Sequence, residues 1–145
     1  MKIYFDSCCY NRPFDDDSQD RIKLESDSIL AIAARAYLSD SEIVGSAALI
    51  MELSNISDEV RKENVAAMYR IATGYVKRDE TVIERALQLQ KEGMHPMDSM
   101  HVALAEKAQA VFLTVDDKLL KICNRLKIKA MNPIDFLKEV IQNES

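Results

Sequence analysis

The sequence predicts a three-layer α/β/α domain with a central, mostly parallel sheet. Short apolar segments alternate with longer amphipathic segments of helical spacing along the chain. Acidic residues follow two of the apolar segments, where strands of such a sheet would end. Alternating strands and helices favour right-handed crossovers, which place parallel strands in one sheet and cover both of its faces with helices.

The composition is that of one helix-rich globular domain. The chain has 145 residues, of which 48% are hydrophobic and 30% charged, with only 3 Gly and 3 Pro. A chain of this length buries about 68–70% of the surface that its unfolded form exposes, which is enough for one core. We therefore expect a single domain over residues 1–145, without a long spacer or a disordered tract.

The first two thirds of the chain predict two strands and four helices. The strands are short and apolar, whereas the helices carry apolar residues at helical spacing, and Gly74 and Gly93 are expected to stop two of them. The predicted strands are residues 1–5 and 42–46, and the predicted helices are 18–37, a short one from 47, 58–73 and 79–91.

The last third predicts three helices and two strands. Pro96 suits the first turn of a helix, and the segment VFLTV is β-branched and apolar enough for a buried strand. The predicted helices begin near residues 96, 117 and 133, and the predicted strands are 111–115 and 128–130.

Two acids stand where strands end. Asp6 follows the first strand, and Asp116 follows LTV of a later one. In open parallel sheets, ligands bind beyond the carboxyl ends of the strands, near the point where strand order reverses. Each acid also has a simpler explanation, because Asp is a favoured N-cap for the helix that follows. Asp117 competes with Asp116 for the same role, and Asp116 is preferred because it is nearer the strand.

Two further acids lie on predicted helices. Glu52 interrupts the apolar segment LIMEL, and Asp98 lies in the first turn after Pro96. Glu52 could simply be exposed, and Asp98 could interact with the helix dipole. If all four acids converge, however, their repulsion calls for a cation. An all-oxygen ligand set suits Mg²⁺ or Mn²⁺ better than zinc.

The net charge of −5 argues against a general nucleic-acid coat, because phosphate binding normally uses clustered Lys and Arg. Two divalent cations would bring the loaded protein to about −1, and local basic patches would then act freely. Lys118 and Lys121 would form such a patch beside Asp116, although a solvated helix face is the simpler explanation for them.

Four segments in order resemble the PIN domain family, whose bacterial members include VapC-like ribonuclease toxins. They are IYFDSC, AALIMELS, PMDSMHVALA and FLTVDDKLL. The resemblance implies a PIN-like fold and a divalent-metal-dependent endoribonuclease that cleaves single-stranded RNA. It matches Asp6, Glu52, Asp98 and Asp116 to the four acidic positions that hold Mg²⁺ or Mn²⁺ and carry catalysis. Family members commonly have Asn two residues after the first Asp, where this chain has Cys8.

Ser7 and Arg12 are further candidates for substrate binding, because both lie close to Asp6 in the sequence. Arg12 either grips a phosphate or pairs with the loop acids Asp15 to Asp17. His101 lies one helical turn after Asp98 and is expected to support the site or to contact substrate.

The resemblance also implies an antitoxin partner and a homodimer. The alternative function is a catalytically weak PIN-like module that binds RNA or protein. No apolar segment approaches the roughly 18 residues of a membrane-spanning helix, and no secretory leader is evident, so a cytoplasmic location without a membrane partner is expected.

Overall fold

The computed structural model describes residues 1–144, with a five-stranded sheet at the centre. The strand order across the sheet is β3-β2-β1-β4-β5, and every neighbouring pair is parallel. The strands are β1 (Lys2–Phe5), β2 (Glu42–Gly45), β3 (Gly74–Tyr75), β4 (Val111–Leu113) and β5 (Ala130–Met131). Helices flank the sheet, so the predicted three-layer α/β/α fold is confirmed.

Eight α-helices and one 3-10 turn surround the sheet within residues 1–144. Side chains of Ser46, Asp58, Asp79 and Asp116 cap four of the helices by accepting a backbone N–H three residues on. The helices are α1 (Ser7–Asn11), α2 (Asp20–Tyr37), α3 (Ala47–Ser54), α4 (Glu59–Tyr69), α5 (Glu80–Lys91), α6 (Pro96–Ala108), α7 (Asp117–Arg125) and α8 (Pro133–Glu144), and the 3-10 turn is Arg12–Phe14.

The sequence-based boundaries differ from the structure in several places, among them the predicted strand 111–115, which ends at Leu113. Helix α4 ends at Tyr69, and Gly74 begins the short edge strand β3 instead of stopping the helix. The last strand is Ala130–Met131, not residues 128–130. Helix α1 was not predicted. Neither β3 nor α1 is long enough to show a hydrophobic period, and β3 forms because its backbone pairs with β2.

The chain order of the strands creates a crevice beside β1. From β1 the chain builds outward through β2 and β3 on one side, then returns to place β4 and β5 on the other. The connections after β1 and β4 therefore diverge, which leaves a crevice at their carboxyl ends. Asp6 follows β1 there, and its backbone N–H donates to the carbonyl of Leu113 at 2.9 Å.

The middle of the sheet is embedded in the core. Tyr4, Phe5, Phe112 and Leu113 of the two central strands are completely buried. Both faces of the central strands are thus apolar, as in parallel sheets with helices on each side. Over residues 1–144, no helix combines the length and the apolar character that crossing a membrane would require.

Candidate active site

Asp6 is the most buried acid of the crevice, with 4% of its surface exposed. Its carboxylate accepts the backbone N–H of Ser7 at 2.9 Å and the hydroxyl of Thr114 at 2.8 Å, and the Cys8 thiol donates to it at 3.3 Å. Burial raises the pKa of Asp6, and the negative charge of Glu52 raises it further, against the effect of these donors and His101. Asp6 thus caps α1, one of its two predicted roles. It also lies near three other acids, Glu52, Asp98 and Asp116, and the four together are called the acidic cluster.

Glu52 projects from α3 toward the same point. One oxygen of its carboxylate, Oε1, lies 2.8 Å from Nε2 of His101, whose side chain is fully buried. Burial raises the pKa of Glu52, but hydrogen bonds from His101 and Ser7 outweigh it, so that the pKa is lowered overall. Glu52 is therefore an ionised group held in place on the site side of α3.

Asp98 lies in the first turn of α6, as predicted, and is half-buried. Burial raises its pKa to about 6, and the negative charges of Asp6 and Asp116 add to the increase. This carboxyl group thus lies near two other acids. Its perturbed pKa has the cause expected when like charges share one cleft.

Asp116 and Asp117 are adjacent but face different surroundings. Asp116 caps α7 through the N–H of Leu119 at 3.1 Å, and its own N–H donates to the Thr114 hydroxyl, which also binds Asp6. Asp117 instead accepts two hydrogen bonds from Arg21, at 2.9 and 2.6 Å. Of the two, Asp116 is connected to the acidic cluster and Asp117 is neutralised by an arginine.

The four predicted acids share one electrostatic property. Within the described residues, no Lys or Arg forms an ion pair with Asp6, Glu52, Asp98 or Asp116. Acids gathered in a crevice without basic partners repel one another, and this repulsion destabilises the fold until a cation neutralises it.

The donor set fits a hard divalent cation. Asp6, Glu52 and His101 each offer an atom within 4.8 Å of the others. Both ring nitrogens of His101 already have hydrogen-bonding partners, Tyr4 and Glu52. The atoms of the cluster that remain to coordinate a metal ion are therefore carboxylate oxygens. Oxygen ligands are those that Mg²⁺ and Mn²⁺ prefer.

The supporting residues of the site were not predicted from the sequence. Thr114 lies in the predicted strand 111–115, yet it connects Asp6 to the backbone of Asp116. Tyr4 lies in the predicted strand 1–5, yet its hydroxyl is 2.7 Å from Nδ1 of His101. Only His101 had a local signal, its spacing of three residues from Asp98.

The four predicted substrate-binding residues differ in the contacts that their side chains make. Ser7 lies close to Glu52 and helps to lower the pKa of its carboxyl group. Arg12 lies 3.1 Å from Asp15 and 3.3 Å from Glu25, the ion-pairing alternative, so phosphate binding by it stays a prediction. Lys118 and Lys121 are exposed on α7, and neither forms an ion pair with any residue of the described chain.

Solved structures of other proteins share this fold. The FitAcB structure from Neisseria gonorrhoeae is 14% identical with a TM-score of 0.62, over 92% of this chain and 98% of that chain. FitAB bound to an IR36 DNA fragment is 15% identical with a TM-score of 0.61, over 92% of this chain and 96% of that chain. VapBC2 from Rickettsia felis bound to a promoter DNA fragment is 12% identical with a TM-score of 0.58, over 91% of this chain and 98% of that chain. At these identities the likeness concerns the fold.

A family model supplies the evidence for family membership that these distantly related structures do not. Comparison with curated proteins gave no significant match. The model described as "PIN domain" matches residues 21–125, a segment that contains Glu52, Asp98 and Asp116 and begins after Asp6. Because this segment is well over half of the sequence, the chain belongs to the PIN domain family.

Proposed function

We propose that this protein is a divalent-metal-dependent endoribonuclease that hydrolyses phosphodiester bonds of single-stranded RNA. Asp6, Glu52, Asp98 and Asp116 would hold Mg²⁺ or Mn²⁺. The observation that carries the proposal is the absence of any basic ion-pair partner for these acids among the described residues, at the switch point of a PIN domain. A purely structural acidic cluster would gain stability from such partners.

The side chains divide the work of the site. A bound divalent cation would supply Lewis acidity toward the phosphodiester and make a water molecule more acidic. Asp6 is fixed by Ser7, Cys8 and Thr114, so its carboxylate is oriented before any ligand arrives. Asp98 and Asp116 are more exposed and border the crevice where a strand of RNA would enter.

The basic residues beside the crevice fit a phosphate backbone. Lys118 and Lys121 lie at i and i+3 on α7, directly after Asp116, and both are exposed. Single-strand binders use such charges to follow the backbone, and their affinity falls with salt. Ser7 is near both Asp6 and Glu52, so we assign it a contact to the substrate close to the scissile bond.

The solved complexes suggest a partner. FitAB and VapBC2 are described as complexes bound to DNA fragments. By this likeness we propose that the chain is the toxin of a toxin–antitoxin pair in the cytoplasm. A homodimer through α4 and α5 is also proposed, since Val60, Ile83 and Leu87 leave apolar surface exposed on these helices. Light scattering of the purified chain at micromolar concentration tests the dimer.

The experiment that tests the nuclease is cleavage of labelled single-stranded RNA by the wild type and by Asp98→Asn. Reactions contain Mg²⁺, Mn²⁺ or EDTA. The proposal expects cleavage that requires metal and falls more than about 100-fold in Asp98→Asn, a loss beyond the usual range for a supporting residue. Asp135→Asn is the matched control, because Asp135 also lies in the first turn of its helix, α8.

Two results separate the nuclease from its alternative. Cleavage by Asp98→Asn at the wild-type rate would contradict the assignment of the site. No cleavage of varied RNAs by folded wild type that binds Mn²⁺ in calorimetry would favour the RNA- or protein-binding module.

A further inference from the structure

A chain of hydrogen bonds crosses the interior of the protein and ends at the acidic cluster. The Ser46 hydroxyl lies 2.8 Å from the Tyr4 hydroxyl, and the Tyr4 hydroxyl lies 2.7 Å from Nδ1 of His101. His101 Nε2 then lies 2.8 Å from Oε1 of Glu52. Of the four residues, only Glu52 has any appreciable exposure, so bulk water does not reach the other three.

The direction of the chain follows from the properties of its two ends. An ionised carboxylate only accepts hydrogen bonds, so Nε2 of His101 must carry the hydrogen that is shared with Glu52. In a neutral ring, Nδ1 then accepts from the Tyr4 hydroxyl, which burial keeps protonated by raising its pKa. The Tyr4 oxygen accepts in turn from Ser46, whose oxygen also accepts the N–H of Leu49 at 3.1 Å. Each group between Ser46 and Glu52 is satisfied in this arrangement.

The same chain fixes three elements relative to one another. Ser46 caps α3 and Glu52 lies near its other end, while Tyr4 belongs to β1 and His101 to α6. Both ends of α3 are therefore joined to the β1–α6 core through the Tyr4–His101 pair. One oxygen of Glu52 is held by His101, which sets the side-chain orientation and leaves the second oxygen for another ligand.

We infer that Tyr4 and His101 are positioning residues of the metal site. Tyr4 fixes the tautomer of His101, and His101 holds the Glu52 carboxylate in the orientation that binds the cation. The inference rests on the proposed function, and it assigns roles to two residues that do not themselves touch metal or RNA. Outer partners of this kind typically change metal affinity or activity by about 10–100-fold when they are removed.

Tyr4→Phe and Tyr10→Phe form a matched pair of test variants. Each removes one hydroxyl from a fully buried tyrosine. The Tyr10 hydroxyl has no hydrogen-bond partner in the described chain, whereas that of Tyr4 bonds to Ser46 and His101. We expect Mn²⁺ binding, measured by calorimetry, to weaken at least about 10-fold in Tyr4→Phe and to stay within about twofold in Tyr10→Phe. In cleavage assays we expect kcat to fall in Tyr4→Phe with KM for RNA unchanged.

A spectroscopic measurement isolates positioning from general loss of stability. The chain has only two histidines, and His95 is exposed, so it serves as the internal reference. Nitrogen-15 chemical shifts of the rings are recorded on the metal-free protein. We expect the Nε2–H tautomer at His101 in the wild type and in Tyr10→Phe, and a mixture of tautomers in Tyr4→Phe.

Each outcome gives a decision. An Nδ1–H tautomer at His101 in the wild type would overturn the inference, even if Tyr4→Phe does not fold. Unchanged Mn²⁺ affinity and an unchanged tautomer in folded Tyr4→Phe would overturn it while leaving the proposed nuclease intact. Failure of the wild type to bind either Mn²⁺ or Mg²⁺ would overturn the proposed function and the inference together.

Discussion

Two neighbouring regions of this protein differ in whether their acids have arginine partners, and the boundary between them lies between Asp116 and Asp117. The acidic cluster on the Asp116 side has no arginine or lysine partner within the described residues. On the Asp117 side, acids alternate with arginines in one connected network. Its members, in order of contact, are Asp117, Arg21, Glu25, Arg12, Asp15 and Arg61.

The difference teaches which charges serve the fold and which serve a ligand. Glu25 is 1% exposed, yet it is surrounded by Arg21, Arg12 and the amide of Asn132 at 2.6 Å, so its charge is fully matched. Asp6 is nearly as buried, but its partners are neutral donors and its pKa is raised. A buried charge is tolerated when it is paired, and an unpaired cluster of acids would be stabilised by the cation that the proposed function requires.

The largest expected effect comes from substituting the two adjacent acids, Asp116 and Asp117, by Asn one at a time. Asp116→Asn should lower metal-dependent RNA cleavage more than about 100-fold, because it replaces a carboxylate that we propose as a metal ligand with an amide. Asp117→Asn should change cleavage less than about twofold, because Asp117 is paired with Arg21. Asn caps helices about as well as Asp, so α7 should stay folded in both. The opposite ranking, in cleavage and in Mn²⁺ affinity, would move the fourth ligand to Asp117.

A second prediction concerns the matched network. Glu25→Ala should lower the free energy of unfolding by about 3 kcal/mol, because it leaves the Asn132 amide without its acceptor and removes the buried carboxylate that pairs with Arg12 and Arg21. Asp27→Ala is the control on the same helix, since it removes only an exposed ion pair with Lys23 and should cost under about 0.5 kcal/mol. Urea unfolding measures both. Equal losses would show that the network does not stabilise the fold.

The sequence was informative about the fold and the acids because both depend on local patterns. Apolar segments, caps and the acids after β1 and β4 are visible within a few residues of one another. The support of the site is not local. Tyr4 and His101 are 97 residues apart, and Thr114 is 108 residues from Asp6. Whether a buried hydroxyl meets a ring nitrogen or an apolar neighbour depends on packing between elements, and spacing along the chain does not contain it.

The partnering of Arg12 shows the same limit from the other direction. Its proximity to Asp6 in the sequence suggested a phosphate contact. The 3-10 turn at Arg12–Phe14 directs it toward Asp15, one of the loop acids, and also toward Glu25 of α2. The pairing with Glu25 depends on tertiary structure and has no local signal in the sequence, while phosphate binding by Arg12 stays a prediction.

A third prediction uses the pH dependence of the metal-free protein. The pKa of Asp98 is about 6 in the folded state, above its unfolded value of about 3.9. Its contribution to stability is therefore fully present below about pH 3.9 and is lost as the pH rises through 6. Between pH 5 and pH 7.5, the free energy of unfolding should fall by about 1 kcal/mol more in the wild type than in Asp98→Asn, allowing for partial exposure.

Metal should reverse this trend if the unpaired acids are ligands. Added Mg²⁺ should raise the melting temperature of the wild type more at pH 7.5 than at pH 5, because protons compete for Asp98 at the lower pH. Because the pKa of Glu52 is lowered, its contribution to the free energy of unfolding is lost as the pH falls, which is opposite to the contribution of Asp98. Comparison with Asp98→Asn separates the two contributions. Parallel pH profiles for the wild type and Asp98→Asn would show that burial and the neighbouring acids do not raise the pKa of Asp98.

The smallest expected effect lies on α7, at the boundary between the two regions. Lys121→Glu should weaken binding of single-stranded RNA several-fold and reduce the slope of log affinity against log salt by about 1, because one phosphate contact is lost. Arg125→Glu is the control one helical turn further on, since Arg125 already bonds to Glu92 at 3.1 Å and is not free to bind RNA. A free cation beside the crevice and a paired one on the same helix would then differ as Asp116 and Asp117 do. Equal salt slopes for wild type and Lys121→Glu would place the RNA path elsewhere and restrict the functional region to the acids.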